Sequence, residues 1–402
     1  MTTTQAPEDG ASPLAARDGA AQDEQRPGPV RRRWCLGTRL VVAATAVWAV
    51  VLTLHVLLVD RWWPWLIFEV APPLILVVVP LLLLVVTPLA RPVRRRLSVV
   101  LVVLLLAGAY LAGFGRGWAA TPTAGGPAGT TIKVFAWNTN YWDMSDDKGA
   151  FYAFLRRQDA DVYLLQEYLY WDGDRPVRID DTARLRAEFP GYRILVQGEL
   201  LTLTRLPVVA ADHAVPETGA DWYWKGGKAQ RTDIRVGGRT VSFYNVHLPV
   251  PFRIGDDPLS GRFYRELAER WAWRNGELSK LRADLAANPN PVVVAGDFNS
   301  AWMEVAPLGG GTRLHTPAGS VLPVASWPVS EYPFPRVWRL DWLFTSPGLT
   351  VSGYRFTGGA PYSDHQAQEF RIAVADEAPA AHSATPHTTE GTHRAQAPTN
   401  SR

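Results

Sequence analysis

The stretch Pro291-Val292-Val293-Val294-Ala295-Gly296-Asp297-Phe298-Asn299-Ser300 decides how the chain reads. Four small or β-branched apolar residues in a row, Val292 to Ala295, predict a strand buried on both faces. Gly296 then lets the backbone turn tightly, and Asp297 and Asn299 arrive at the strand's end. Residues two apart on an extended chain point the same way, so an acid and an amide face one spot. Alone, the segment is either a strand closed by a polar turn or the floor of a site. Which of the two holds depends on how the other strands end.

Five further polar clusters sit at strand ends. An apolar run at 132–137 ends in Asn138-Thr139-Asn140, and one at 162–165 ends in Gln166-Glu167. A third, at 241–246, ends in His247; Asp341 follows Arg339 into a strand at 340–344; Ser363-Asp364-His365 follows a Gly/Pro loop. Each has an ordinary reading. Glu167 fits a helix cap or a surface acid, His247 a structural histidine, and Asp341 a partner for Arg339. Yet carboxylates, amides and histidines at so many apolar strand ends are costly to bury without a purpose. Oxygen donors of this sort suit a hard ion such as Mg²⁺. Two histidines near acids suit proton transfer and stabilisation of phosphate charge. Together they point to metal-assisted phosphoester hydrolysis.

The ordered set N-x-N, L-L-Q-E, N-V-H-L, G-D-F-N, L-D-W-L-F and S-D-H resembles the endonuclease/exonuclease/phosphatase superfamily, over roughly residues 131–373. That superfamily includes DNase I, exonuclease III-type repair enzymes, neutral sphingomyelinases and inositol polyphosphate 5-phosphatases. The resemblance implies an α/β fold, a four-layer α/β/β/α sandwich of the DNase I type, with the site where the strand ends of both sheets meet. It also implies roles. Glu167 resembles the principal Mg²⁺ ligand, with Asn138 close by and Asp364 as a further acid on the metal side; Mn²⁺ is the alternative ion. Asp297 and Asn299 resemble the pair that orients the attacking water and holds the phosphate. His365 resembles the histidine that, paired with Asp341, acts as base or phosphate stabiliser. His247 resembles the acid for the leaving oxygen. The division of acid and base among Asp297, His365 and His247 stays open. Gln366-Ala367 replaces the residue-then-Pro that often follows S-D-H, and Asn140 stands where some members carry Asp.

Outside this region the chain changes character. Residues 1–36 are poor in large apolar residues and are expected to be a disordered, cytoplasmic N-terminus. Apolar runs at about 40–59, 65–89 and 97–114 predict a three-helix transmembrane anchor over 37–118. The second contains Pro72, Pro73, Pro80 and Pro88, which membrane helices tolerate. Arg31, Arg32 and Arg33 before the first run and Arg91, Arg94, Arg95 and Arg96 after the second set those loops in the cytoplasm. Everything after 114 then lies outside, which gives a multi-pass cell-membrane protein with an extracytoplasmic catalytic domain. Residues 119–130 read as a linker, 131–375 as the catalytic domain and 376–402 as a disordered tail.

Residues 131–375 hold 27 Lys/Arg against 28 Asp/Glu, so the domain lacks the basic excess usual in a duplex-DNA binder. A single cysteine, Cys35, excludes an internal disulfide and a Cys-rich zinc site. The expected substrate is a phosphoester: nucleic acid, or a phospholipid or sugar phosphate at the membrane surface. A catalytically silent tethered binding domain is the reading from another class, and no obligate protein partner is expected.

Overall fold

A computed structural model describes residues 34–120, 129–142, 146–173, 175–211, 221–329, 332–359 and 361–375. The expected disorder of the N-terminus and of the tail concerns residues outside this set, apart from 34–36, as does linker segment 121–128. In chain order the helices are α1 (Leu36–Leu58), α2 (Leu66–Glu69), α3 (Ile75–Val86), α4 (Arg94–Leu111), α5 (Arg116–Ala119), α6 (Lys148–Arg157), α7 (Thr182–Glu188) and α8 (Gly261–Ala287). The strands are β1 (Gly129–Asn138), β2 (Val162–Gln166), β3 (Leu169–Asp172), β4 (Arg175–Arg178), β5 (Arg193–Gln197), β6 (Leu200–Thr204) and β7 (Val208–Ala211). They continue as β8 (Ala229–Val236), β9 (Arg239–His247), β10 (Val292–Asp297), β11 (Arg313–His315), β12 (Asp341–Thr345), β13 (Leu349–Thr357) and β14 (Ala367–Ala375).

The central strands are apolar on both sides because both sides are covered. In β1, Val134 and Ala136 join one core while Phe135 and Trp137 join another. The first core lies between two six-stranded sheets, in the orders β13-β14-β1-β2-β6-β5 and β11-β12-β10-β9-β8-β7. Ile132 and Leu164 from one sheet meet Phe243, Val293 and Leu343 from the other there. Outside the first sheet, α6 and α7 bring Phe151, Tyr152, Leu155 and Leu185 onto Phe135 and Tyr163. Outside the second, α8 brings Leu278, Leu281 and Leu285 onto Tyr244, Val292 and Val294. The result is four layers, helix, sheet, sheet, helix, as two-faced burial of the strands requires.

In each sheet one pair of central strands runs parallel, β1 with β2 and β9 with β10, so their polar ends emerge on the same side. Register then sets the site. Asp297 of β10 lies opposite His247 of β9 on one side and Asp341 of β12 on the other. Gly296, with φ at +147°, is required where β10 passes β9, since a Cβ there would collide with the Val246 carbonyl.

The N-terminal helices correct the expectation of a three-helix transmembrane anchor. Among the described residues only α1, 23 residues long, is long and apolar enough to cross a bilayer. The second apolar run breaks at Pro72 and Pro73 into the four-residue α2 and the 12-residue α3. Proline supplies no N–H and disfavours helix in the residue before it, so consecutive prolines end the turn. The third run forms the 18-residue α4, but Arg94, Arg95 and Arg96 occupy its first turn. The helices also do not stand apart from the sheets. Leu52, Val59 and Leu76 pack with Ala301 and Trp302, and Arg116 pairs with Glu304 at 2.7 Å.

Candidate active site

Asp297 Oδ2 is the point on which the strand ends converge. It accepts from Asn138 Nδ2 at 3.1 Å and lies 3.7 Å from His247 Nε2 and 3.6 Å from His365 Nε2. Its other oxygen accepts from the Asn299 backbone N–H at 2.7 Å, which closes the turn after β10. Asn299 holds a left-handed φ of +47° and donates its amide to the Leu248 carbonyl at 2.9 Å. Asn138 also donates to Glu167 at 3.1 Å, so one amide from β1 ties together the two carboxylates. Glu167 stands just past β2 at φ +63°, a strained conformation for a residue with a side chain.

Each histidine has its own carboxylate. His365 Nδ1 lies 2.9 Å from Asp341 Oδ2, and the His365 N–H donates to Ser363 Oγ at 2.9 Å. Burial opposes charge on His365, but Asp341 and Asp297 outweigh it and raise its pKa well above the ordinary value. His247 Nδ1 lies 2.9 Å from Glu199 Oε1. Burial likewise opposes charge there, and Glu199 overcomes it, so the net shift is upward. His247 Nε2 is buried without a hydrogen-bond partner, 3.7 Å from Glu167.

Glu199 is the residue of this cluster that sequence reasoning missed. It is 2% exposed, just before β6, and holds three groups. It pairs with Lys228 Nζ, fixes the His247 ring, and accepts the Glu167 backbone N–H at 2.8 Å. Burial pushes its pKa up, yet His247 and Lys228 outweigh that and bring it down to about 2. A signal was available: Gly198-Glu199 sets an acid at the mouth of the apolar run Leu200–Thr204, much as Asp341 opens its own strand.

All eight residues expected from the sequence gather here. Asn138, Glu167, Asp297, Asn299, Asp364 and His365 line one cleft of about 610 Å³, with His247 and Asp341 behind them. Asp364 accepts from Trp327 Nε1 at 2.7 Å. Arg231 does not join them. It pairs with Asp233 and Asp284 at 2.9 and 3.1 Å.

A family model described as the endonuclease/exonuclease/phosphatase family matches residues 135–365, more than half of the chain. The chain belongs to this family. Members of the endonuclease/exonuclease/phosphatase family are typically metal-dependent phosphoester hydrolases. No curated protein sequence matches the chain. Solved structures similar to it include truncated Caenorhabditis elegans TDP2, at 20% identity and a TM-score of 0.42 over 61% of this chain and 98% of that one. A family protein from Leptotrichia buccalis matches at 16% identity and a TM-score of 0.39, over 60% and 99%. A mannosyl-6-phosphatase from Bacteroides thetaiotaomicron matches at 14% and 0.37, again over 60% and 99%.

The residues fit the divalent cation typical of the family. Burial raises the pKa of Glu167 to about 6 and that of Asp297 as well, a cost of ionising both that a bound cation would offset. Glu167, Asn138 and Asp364 offer oxygens on the open side of the cleft. Asp297, Asp341 and His365 also offer three donor atoms within 4.8 Å of one another. There, however, Asp341 and His365 are already bonded to each other, so that trio reads as a dyad facing an acid.

Proposed function

We propose that the chain is a membrane-anchored, outward-facing, Mg²⁺-dependent phosphoester hydrolase of the phosphodiesterase type, with Mn²⁺ as the alternative ion. The observation that carries this reading is the convergence of an amide and two carboxylate-held histidines on Asp297 Oδ2. Asp297 takes the proton of the attacking water as its oxygen bonds to phosphorus. His365, charged and held by Asp341, donates from Nε2 to a phosphoryl oxygen. His247, held by Glu199, delivers a proton from Nε2 to the ester oxygen as the P–O bond breaks. Asn299 supports the phosphate from the turn. A cation held by Glu167, Asn138 and Asp364 would supply positive charge against the non-bridging oxygens.

A specific observation favours a phospholipid or sugar-phosphate ester over nucleic acid. Leu66, Val70, Val250, Phe252, Ile254 and Phe334 line the cleft above the acids. Among the described residues Arg253 and Arg274 are its only Lys or Arg, whereas nucleic-acid binding is dominated by phosphate contacts from such side chains. Anchoring through α1 is supported by its inverted burial. Thr38, Thr45 and His55 face inward, while Leu40, Val47, Val50 and Leu57 are exposed. Arg31, Arg32 and Arg33 before it favour an N-terminus in the cytoplasm, and a single crossing by α1 would then leave the catalytic domain outside.

The test is turnover by the full chain in detergent on a panel: bis-p-nitrophenyl phosphate, duplex DNA, a sugar phosphate and phospholipid vesicles. Mg²⁺-dependent cleavage of the small diester, with the lipid or sugar ester preferred to DNA, is expected. No metal-dependent turnover on any member would sink the enzyme reading and leave the silent binding domain.

A further inference from the structure

We propose that segment 60–74, between the apolar helices, is a working part of the active site, with Asp60 as a positioning residue for the turn that carries Asn299. The inference rests on the hydrolase reading, since it assigns a role within that site.

Asp60 follows α1 at a left-handed φ of +55°, and its backbone N–H donates to Glu69 Oε1 at 3.0 Å. Its carboxylate lies 3.8 Å from Arg274 Nε, with both side chains almost fully buried. Arg274 reaches from α8 in the opposite direction. Its Nη1 donates to the Phe298 carbonyl at 2.5 Å and lies 3.5 Å from that of Asn299. One guanidinium is therefore held between the end of the membrane-type helix and the catalytic turn. A buried guanidinium without its counter-ion is strongly destabilised, so the Asp60 carboxylate favours holding Arg274 at this position beside the turn.

Two indoles tie the same segment to the site. Trp302, two residues beyond Ser300, donates to the Glu69 carbonyl at 2.6 Å. Trp338, which lines the cleft, donates to the Val70 carbonyl at 2.9 Å. Leu66, Glu69 and Val70 form one wall of the cleft themselves. The segment thus does more than join a tether to an enzyme. It closes one flank of the site and braces a turn whose left-handed Asn299 needs external support.

The experiment uses the full chain in detergent, with bis-p-nitrophenyl phosphate as probe and the variants Asp60→Asn, Arg274→Gln and their combination. Each single variant is expected to lower kcat about 100-fold, the scale of a small misplacement in a site. KM is expected to change less than about threefold. The double variant is expected to be no worse than the poorer single one, because both remove one linkage. Asp60→Glu, which keeps the charge, is expected to recover part of kcat. Arg262→Ala, at an exposed pair with Glu266 on α8, should leave turnover unchanged. Wild-type kcat in Asp60→Asn, additive losses, or a loss that merely follows unfolding by circular dichroism would overturn the assignment. If wild type itself turns over nothing, the hydrolase reading fails separately. Hydrogen exchange then decides: faster exchange at 298–302 in Asp60→Asn supports the bracing role, and unchanged exchange refutes it.

Discussion

Replacing Glu199 by Gln keeps the side chain's shape and removes the charge that Lys228 and His247 share. Lys228 Nζ and the Glu199 carboxylate are buried together at 2% and 3% side-chain exposure. Glu199 falls from an ordinary 4.5 to about 2 in the folded chain, a difference equivalent to about 3 kcal/mol of stability. Loss of one partner from a buried ion pair gives a similar figure, about 3–5 kcal/mol. For a domain of this size that corresponds to a fall in Tm of about 10 °C. The folded-state pKa lies below the unfolded one, so this stability is fully present above pH 4.5 and is lost as pH falls toward 2. Wild type should therefore lose it across that window, and Glu199→Gln should show a flatter acid limb. His247 also loses the anion that fixes its tautomer, so kcat should fall about 100-fold or more. Thermal melts by circular dichroism and hydrolysis of bis-p-nitrophenyl phosphate measure both effects. A Glu199→Gln chain that melts within about 2 °C of wild type and keeps its kcat refutes the hub role.

Asp341→Asn removes the main group that holds His365 charged. Its raised pKa should fall, moving the alkaline limb of the kcat–pH profile to lower pH, with kcat down about 100-fold. An unmoved limb argues against a charged His365 in turnover. Gly296→Ala should destabilise the chain by about 3 kcal/mol or more, because the new Cβ meets the Val246 carbonyl at a φ that suits glycine; urea denaturation reads this directly. A reporter fused after Trp118 should report an extracytoplasmic position, and a cytoplasmic signal there contradicts the outward placement.

Much of the core was legible because two-faced burial leaves unbroken apolar runs. The runs at 132–137, 162–165, 241–246 and 292–295 all fall inside strands, β1, β2, β9 and β10. The strands that escaped notice lie mostly toward the edges. In β13 the burial alternates weakly and a bulge falls between Ser352 and Arg355, so no clear period is left to read. β8 hides because its buried side chains include Gln230, Thr232 and Asp233. Site residues were readable where an acid or histidine ends an apolar run, as at Glu167, His247 and Asp297. Glu199 opens its run without a family motif, and its pairing with Lys228 and His247 is recognised only once the two sheets face each other. The wall supplied by Leu66, Glu69 and Val70 had no sequence signal at all. Apolar residues beside a hydrophobic helix look like more helix until the tertiary contacts to Trp302 and Trp338 are seen.

Hydrolysis of bis-p-nitrophenyl phosphate by the intact chain, with Mg²⁺ or EDTA, in wild type and Glu167→Ala, measures the proposed chemistry most directly. Wild type should turn over with Mg²⁺ and stop with EDTA. Glu167→Ala should lose about 100-fold or more of kcat at any Mg²⁺ concentration that saturates wild type. Turnover that survives EDTA, or full activity in Glu167→Ala, contradicts a metal-dependent hydrolase built around this cleft.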